Sequence, residues 1–310
     1  MWFVYALIVL LCWGAADLFY KAGADENDRY SHLKTSIMVG LVMGIHAICV
    51  LIFTDVPYDP VNILIYFPVS AMYILSMTVG YFGLRYLEVS ISSPVQNTSG
   101  AIVSLLCLIF LGQQMDALSV IAVVLVTAGI VLLGYFEKKK EEAYELEYNK
   151  KYKIGFVAFF IPIIYCVIDA LGTFFDAWYL DDVESTPLRG VTEDTLEDVA
   201  NVSYELTFLF VAFLLFIYVY VVKKQKFTLY KQKERLGAAV FETAGQFAYV
   251  YAMSGNGVVA APIVASYSIV AVLLSRIFLK EKLTKKQYAA VVIVMAGIAL
   301  MGLAEGLAEG

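Results

Sequence analysis

The stretch Ser92–Gly134, SSPVQNTSGAIVSLLCLIFLGQQMDALSVIAVVLVTAGIVLLG, is matched 168 positions later by Ala260–Gly302, AAPIVASYSIVAVLLSRIFLKEKLTKKQYAAVVIVMAGIALMG. Laid together without a gap, Pro94 falls on Pro262, Gly129 on Gly297 and Gly134 on Gly302, while Leu111-Gly-Gln-Gln-Met115 falls on Leu279-Lys-Glu-Lys-Leu283. The register extends backwards, setting Thr78 on Gln246 and Tyr81 on Tyr249. Because three successive apolar segments of each half share it, the chain is an internal duplication.

Composition names the solvent. Of 310 residues 61% are apolar and 16% charged, with mean hydropathy +0.75, which is typical of a chain dissolved in lipid and excludes an ordinary water-soluble domain. Cys12, Cys49, Cys107 and Cys166 lie far apart inside apolar runs, so they are expected as buried thiols rather than a disulfide framework or metal site. No basic, aromatic-interleaved segment suggests nucleic acid. No cofactor is expected.

A helix needs about 20 apolar residues to cross a bilayer. Ten segments qualify: 2–20, 35–53, 61–84, 90–112, 117–136, 154–180, 202–222, 236–253, 258–279 and 287–304. The expected fold is an all-α membrane protein of ten transmembrane helices. Its parts are a first five-helix repeat at 1–136, a lysine-rich cytoplasmic connector at 137–153, a second five-helix repeat at 154–304 and a short tail at 305–310. Lysine and arginine are retained on the cytoplasmic side. They fall in alternate connections: Lys21, Arg29 and Lys34; then Arg85; then Lys138, Lys139, Lys140, Lys150, Lys151 and Lys153; then Lys223, Lys224, Lys226, Lys231, Lys233 and Arg235; then Lys280, Lys282, Lys285 and Lys286. The long connection 181–198 instead carries Asp181, Asp182, Glu184, Glu193, Asp194, Glu197 and Asp198 beside Arg189, which makes it an acidic extracytoplasmic loop. Both termini are therefore expected outside. Five is odd, so the second repeat enters the membrane inverted, the architecture of alternating access around a midplane site.

Pro94-Val and Pro262-Ile early in the fourth and ninth spans, Leu279-Lys-Glu-Lys-Leu283 and Ala-Gly-Ile at 128–130 and 296–298 resemble the two EamA-type repeats of the drug/metabolite transporter superfamily. The resemblance covers nearly the whole chain. It implies a transporter of small metabolites such as amino acids, nucleotide precursors or quaternary amines, and a location in the cytoplasmic (cell) membrane. This chain departs from the family pattern in having Gly112-Gln113 where Gly-Glu is common, and in its lysine distribution, since family members are usually drawn with cytoplasmic termini.

An ionisable group at the bilayer centre costs about 2.5–3.5 kcal/mol on insertion scales, so it is kept there for a partner, a cavity or a substrate. Asp169 lies 12 residues before Asp181, roughly 18 Å along a helix, with Tyr165, Thr173 and Asp176 on the same face. Glu242, Gln246 and Tyr249 form a second polar stripe, and the register sets Glu242 opposite Ile74, concentrating polarity in one half. The expected substrate-binding residues are Asp169, Glu242, Gln246, Tyr249, Tyr81, Tyr165, Trp13 and Asn97. The proton-coupling candidates are Glu242, Asp169, Asp17 and His46. Each has a structural alternative: a helix–helix contact for Asp169, Glu242 and His46, an i, i+4 ion pair with Lys21 for Asp17, and interhelical packing for Asn97 and Gln96. Tyr204 and Glu205 are expected at the outer interface. Tyr73, Tyr81, Tyr249, Tyr251 and Tyr267 are expected around the cavity, where aromatic faces beside carboxylates suit a positive nitrogen.

The function expected is a secondary transporter of an amine, quaternary ammonium compound or amino acid. A passive channel would want polar lining in both halves, which Ile74 opposes. An enzyme lacks its usual motifs, for there is no HExxH, P-loop or Ser/His/Asp set, and histidine is limited to His32 and His46. The expected partners are the small-molecule substrate and the lipid bilayer; a homodimer stays open.

Overall fold

A chain in lipid must satisfy its peptide groups internally, which a helix does and an open strand does not. Accordingly, among the described residues the protein is helices, turns and loops with no strand. The computed structural model describes every residue except 26, 85–95, 149–154, 227, 281–282 and 309–310; for 137–148, 155–159, 229, 231, 305, 306 and 308 it describes the backbone alone. The elements are α1 (Trp2–Gly23), α2 (Ser31–Phe53), the one-turn α3 (Asn62–Ile65), α4 (Phe67–Gly83), α5 (Ser99–Leu106), α6 (Ala117–Tyr148), α7 (Gly155–Tyr179), α8 (Leu196–Phe216), α9 (Lys233–Met253), α10 (Gly257–Ala265), α11 (Tyr267–Phe278) and α12 (Lys285–Ala308). Helix α5 runs on as a π turn, Cys107–Leu111, ended by Gly112 in the left-handed region at φ +67°, where the absence of a Cβ removes the strain. A second π segment, Ile217–Val222, continues α8.

Among the described residues, seven helical stretches are long and apolar enough to cross a membrane, with α10 and α11 counted as one; Phe67–Gly83 and Ser99–Leu111 are shorter. Helix α9 has 21 residues but carries Lys233, Glu234, Arg235 and Glu242. On α2 the exposed Leu41, Ile45, Ile48 and Ile52 recur at helical spacing and make a lipid-facing stripe.

The interruptions follow from proline chemistry. Pro68 cannot donate to the carbonyl four residues back, and the helix breaks at Tyr66 just before it. Within α10, Pro262 leaves the Val258 carbonyl without its intrahelical donor. The Ser104 hydroxyl of α5 donates to that oxygen instead, which matters where no water can. Gly100 allows the approach: a Cβ there would lie 2.8 Å from Ala261 O and 3.0 Å from Pro262 Cα.

Helix α1 packs with α9, α2 with α8, α4 with α7, α5 with α10 and α6 with α12, and α1 also packs on α11 and α2 on α9. Helices α6 and α12 meet through glycines. A Cβ on Gly129 would lie 2.2 Å from Val294 Cγ2, and one on Gly297 would lie 2.8 Å from Val126 Cγ2. At one end of the bundle the Lys21 ammonium donates to Leu84 O (2.9 Å), Arg235 donates to Ser31 Oγ (3.0 Å), and Lys34 pairs with Asp28 (2.6 Å). At the other end the Asn62 amide donates to Arg189 O (3.0 Å), Gln113 donates to Asp181, and Val258 N donates to Gln113 Oε1 (2.8 Å).

Several boundaries differ from those expected. Helix α6 continues to Tyr148, through the first part of the connector, because Glu137-Lys-Lys-Lys-Glu-Glu-Ala143 is made of strong helix formers. Helix α8 begins at Leu196, with Glu197 and Asp198 in its first turn, where acidic side chains suit the helix dipole. Helix α12 runs on through most of the tail, to Ala308. Arg85, Ser92, Ser93, Pro94, Lys150, Lys151, Lys153 and Lys282 lie outside the described residues. All four cysteines are free thiols, but only Cys107 and Cys166 are buried; Cys12 is half-buried and Cys49 exposed, since a thiol on an outward helix face meets lipid rather than protein.

Candidate functional site

A cavity of about 800 Å³, its mouth included, lies between the middle of the bundle and the end carrying Lys21 and Arg235. Helix α1 contributes Trp13, Asp17 and Tyr20; α4 contributes Tyr73, Met77, Gly80 and Tyr81; α5 and the turn before it contribute Gln96, Asn97, Ser99 and Gly100. From the other half come Tyr165, Asp169 and Thr173 of α7, Tyr204 of α8, Glu242, Gln246 and Tyr249 of α9, and Ala261, Val264, Ala265 and Tyr267 of α10–α11.

Glu242, Gln246 and Tyr249 reach one space because spacings of four and three residues keep them on one helix face. The Glu242 carboxylate accepts from Tyr20 Oη (3.0 Å), which in turn accepts from Tyr81 Oη (2.9 Å). The Cδ1–Nε1 edge of Trp13 lies against the backbone of α9. A Cβ at Gly245 would sit 2.3 Å from Trp13 Cδ1, so only glycine admits the indole, whose Nε1 donates to Glu242 O at 3.3 Å. The ring packs against Tyr249 (centroids 5.1 Å apart) and edge-on to Tyr267 (5.6 Å). Asp169 accepts from Ser99 Oγ (2.8 Å) and is within hydrogen-bonding reach of Tyr165. Asp17 and Asp169 each lie near enough to Glu242 to repel its carboxylate, a repulsion that a bound cation or proton would relieve.

Two amides stand apart. Gln246 is 1% exposed and Gln96 is 6% exposed, and the side-chain nitrogen of neither has a hydrogen-bond partner among the described residues.

Beyond the cavity, towards the end carrying Asn62 and Asp181, a layer of buried tyrosines closes the bundle. Tyr73 Oη meets Tyr249 Oη at 2.7 Å and donates to Thr173 Oγ1 at 2.9 Å, while Tyr66 donates to the fully buried Asp176.

All eight residues expected at the binding site, and Asp17 with them, line this one cavity. His46 does not. Its Nδ1 contacts the Glu205 carboxylate (2.8 and 2.9 Å) and its ring packs against Phe247, a helix–helix pair between α2 and α8 outside the cavity lining. Tyr204 and Glu205, expected at the outer interface, are 1% and 0% exposed, because α8 starts six residues earlier than its hydropathy suggests and carries them into the bundle. Tyr251, expected around the cavity, instead stacks on Tyr5 (5.0 Å) and donates to Asp198 (2.7 Å); two residues past Tyr249 is the opposite face of the helix. Met77, Tyr20, Tyr204 and Thr173 also line the cavity, though none is among the eight expected binding residues. The sequence carried a signal for Thr173, in helical register with Asp169, and for Tyr20, one turn from Asp17, but none for Met77 or Tyr204 as cavity residues.

The family model described as "EamA-like transporter family" matches residues 1–135 and 195–303. The chain belongs to the EamA-like transporter family. Like other members of this family it is a multi-pass membrane protein of the small-molecule transporter kind. A solved structure titled "Crystal structure of protein" matches with a TM-score of 0.68 at 9% identity, covering 100% of this EamA-like chain and 99% of the other; at that identity the likeness concerns the fold alone. No curated protein matches the sequence.

Proposed function

We propose that this EamA-like protein is a secondary transporter that moves a small organic molecule with a positively charged nitrogen across the cell membrane by alternating access, with both termini outside. The single observation that carries this is the cavity. Three carboxyl groups, Asp17, Asp169 and Glu242, share it with the rings of Trp13, Tyr20, Tyr81, Tyr165 and Tyr267, which is the chemistry that holds an amine or quaternary ammonium by charge and cation–π attraction. A proton would compete with the cation for Glu242 or Asp169, so coupling to protons is part of the reading.

The mechanism needs ten spans in two inverted repeats, and the packing supports that. Number the spans so that α3–α4 is the third and α10–α11 the ninth. Five of the helix pairs then join first to eighth, second to seventh, third to sixth, fourth to ninth and fifth to tenth, beside contacts of first with ninth and second with eighth. Exchanging the halves turns first–eighth into sixth–third and leaves the other three pairs unchanged. The glycine contacts are reciprocal in the same way: Gly129 meets Val294 and Ala290 O, while its repeat partner Gly297 meets Val126 and Ala122 O. Mutual contacts of this kind are what a two-fold relation produces. The tyrosine layer speaks against a channel, since it lies across one end of the path; opening it while closing the other end is the alternating step.

The test is uptake by the purified protein in liposomes, with choline, agmatine and phenethylamine as probes. Saturable uptake of at least one probe, lost in Glu242→Gln and Asp169→Asn, is the expected result. Equal movement of a neutral or anionic metabolite through wild type and both variants, with no amine carried, would overturn it.

A further inference from the structure

The carboxylates account for one end of a ligand. The two orphaned amides call for another. Gln246 sits one helical turn beyond Glu242 on the same face of α9, and the Gln96 nitrogen lies across the cavity lining against Gly80, 3.5 Å from where a Cβ would be. Both side chains are more than nine-tenths buried and both line the cavity, with no acceptor for their nitrogens among the described residues. Leaving buried donors unmade is costly, so such groups are kept where something else supplies the acceptor.

The other donors facing this space are largely engaged. Tyr20 donates to Glu242, Tyr81 to Tyr20 and Tyr73 to Thr173, while the Trp13 indole N–H is held by Glu242 O. No lysine or arginine is among the described lining residues. An anionic group entering this cavity therefore has neutral amide N–H groups to meet it, not a cation. A carboxylate accepts charge-assisted hydrogen bonds from such donors. The repeat register places Thr78 opposite Gln246 and Val264 opposite Gln96, so neither amide is duplicated in the other half, as a ligand with two different ends requires.

We infer that Gln246 and Gln96 form an acceptor-recognising subsite, so that the cavity selects zwitterions, molecules carrying a carboxylate as well as the positive nitrogen, over the corresponding simple amines. This rests on the cation-site reading above. Gln246 acts on specificity: it holds the carboxylate end and thereby orients the nitrogen towards Glu242 and Asp169.

The experiment uses the full chain in liposomes and probe pairs that differ in the carboxylate: glycine betaine with choline, arginine with agmatine, phenylalanine with phenethylamine. Wild type is expected to favour the zwitterion of at least one pair by about tenfold or more, as sites built around a hydrogen bond discriminate against the analogue lacking it. Gln246→Met, close in volume and without donors, should bring the zwitterion-to-amine uptake ratio down about tenfold. Gln96→Met is the independent second variant should the first not fold. If wild type takes both members of every pair equally, or if Gln246→Met and Gln96→Met leave the ratio unchanged, the subsite does not exist while the cation site stands. If no member of any pair is bound or carried, the cation reading fails and this inference with it.

Discussion

Substituting Gly129 by alanine tests the packing on which the two halves depend. The new Cβ would stand 2.2 Å from Val294 Cγ2, against 3.4–4 Å for ordinary contact, and 3.1 Å from both Ala290 O and Val294 N. The backbone atoms cannot yield, and valine has little rotamer freedom in a helix, so the helices must separate by about an ångström. Overpacking of this kind costs about 1–3 kcal/mol, and the gain in helix propensity from Gly to Ala returns about 1 kcal/mol. A net loss of about 1–2 kcal/mol follows from those two estimates. Replacing Val294 by alanine removes the colliding methyl groups, so the double variant should recover most of that loss, with a coupling energy of about 1 kcal/mol or more. The assay is equilibrium unfolding in mixed micelles, with Val131→Ala, a lipid-exposed position, as control. The repeat predicts a second cycle of the same sign, Gly297→Ala relieved by Val126→Ala, and smaller because the corresponding gap is 2.8 Å. If Gly129→Ala costs no more than the control, or Val294→Ala fails to relieve it, the close approach of α6 and α12 is wrong; if only one cycle couples, the two-fold relation between the halves is wrong.

Ser104→Ala should cost about 1–3 kcal/mol by stranding the Val258 carbonyl, and adding Pro262→Ala should restore stability because residue 262 regains the N–H that serves that oxygen; no rescue in the same unfolding assay would refute this account of α10. The Asp28–Lys34 pair predicts a pH dependence. Burial pushes the Asp28 carboxyl up, but the Lys34 hydrogen bond, the Tyr30 backbone N–H and the charges of Lys34 and Arg235 outweigh it and hold it below its ordinary 3.8. A carboxyl depressed in the folded state adds stability that is full above its unfolded value and lost as pH falls through the folded one. Asp28→Asn should therefore destabilise the protein at neutral pH, and its difference from wild type should shrink as the pH falls below 3.8 and vanish once the pH is below the lowered folded value. A difference that persists there would point to a role for Asp28 other than its charge.

Membrane insertion and helical structure were legible in the sequence because hydropathy is local: lipid acts on each segment separately, and each must close its own backbone hydrogen bonds. The duplication was legible too, since Gly129 and Gly297, or Tyr81 and Tyr249, keep their register in the chain. Glu242 and Asp169 could be found because a carboxylate in an apolar run is expensive enough to be conspicuous. Partnership is not local. Nothing near His46 in the chain names Glu205, nothing near Pro262 names Ser104, and nothing near Gly245 says that an indole from the first helix lies against it. Tyr204 was misread because a buried tyrosine and an interfacial one look alike in sequence and differ only in which helices surround them. Composition and register determined that this chain is a duplicated helical membrane protein with acids in its apolar core. Only the packing of helices distant in sequence decided that Asp17, Asp169 and Glu242 share one cavity with two orphaned amides, because repulsion among charges and the supply of hydrogen-bond partners depend on distances that exist only once the helices have met.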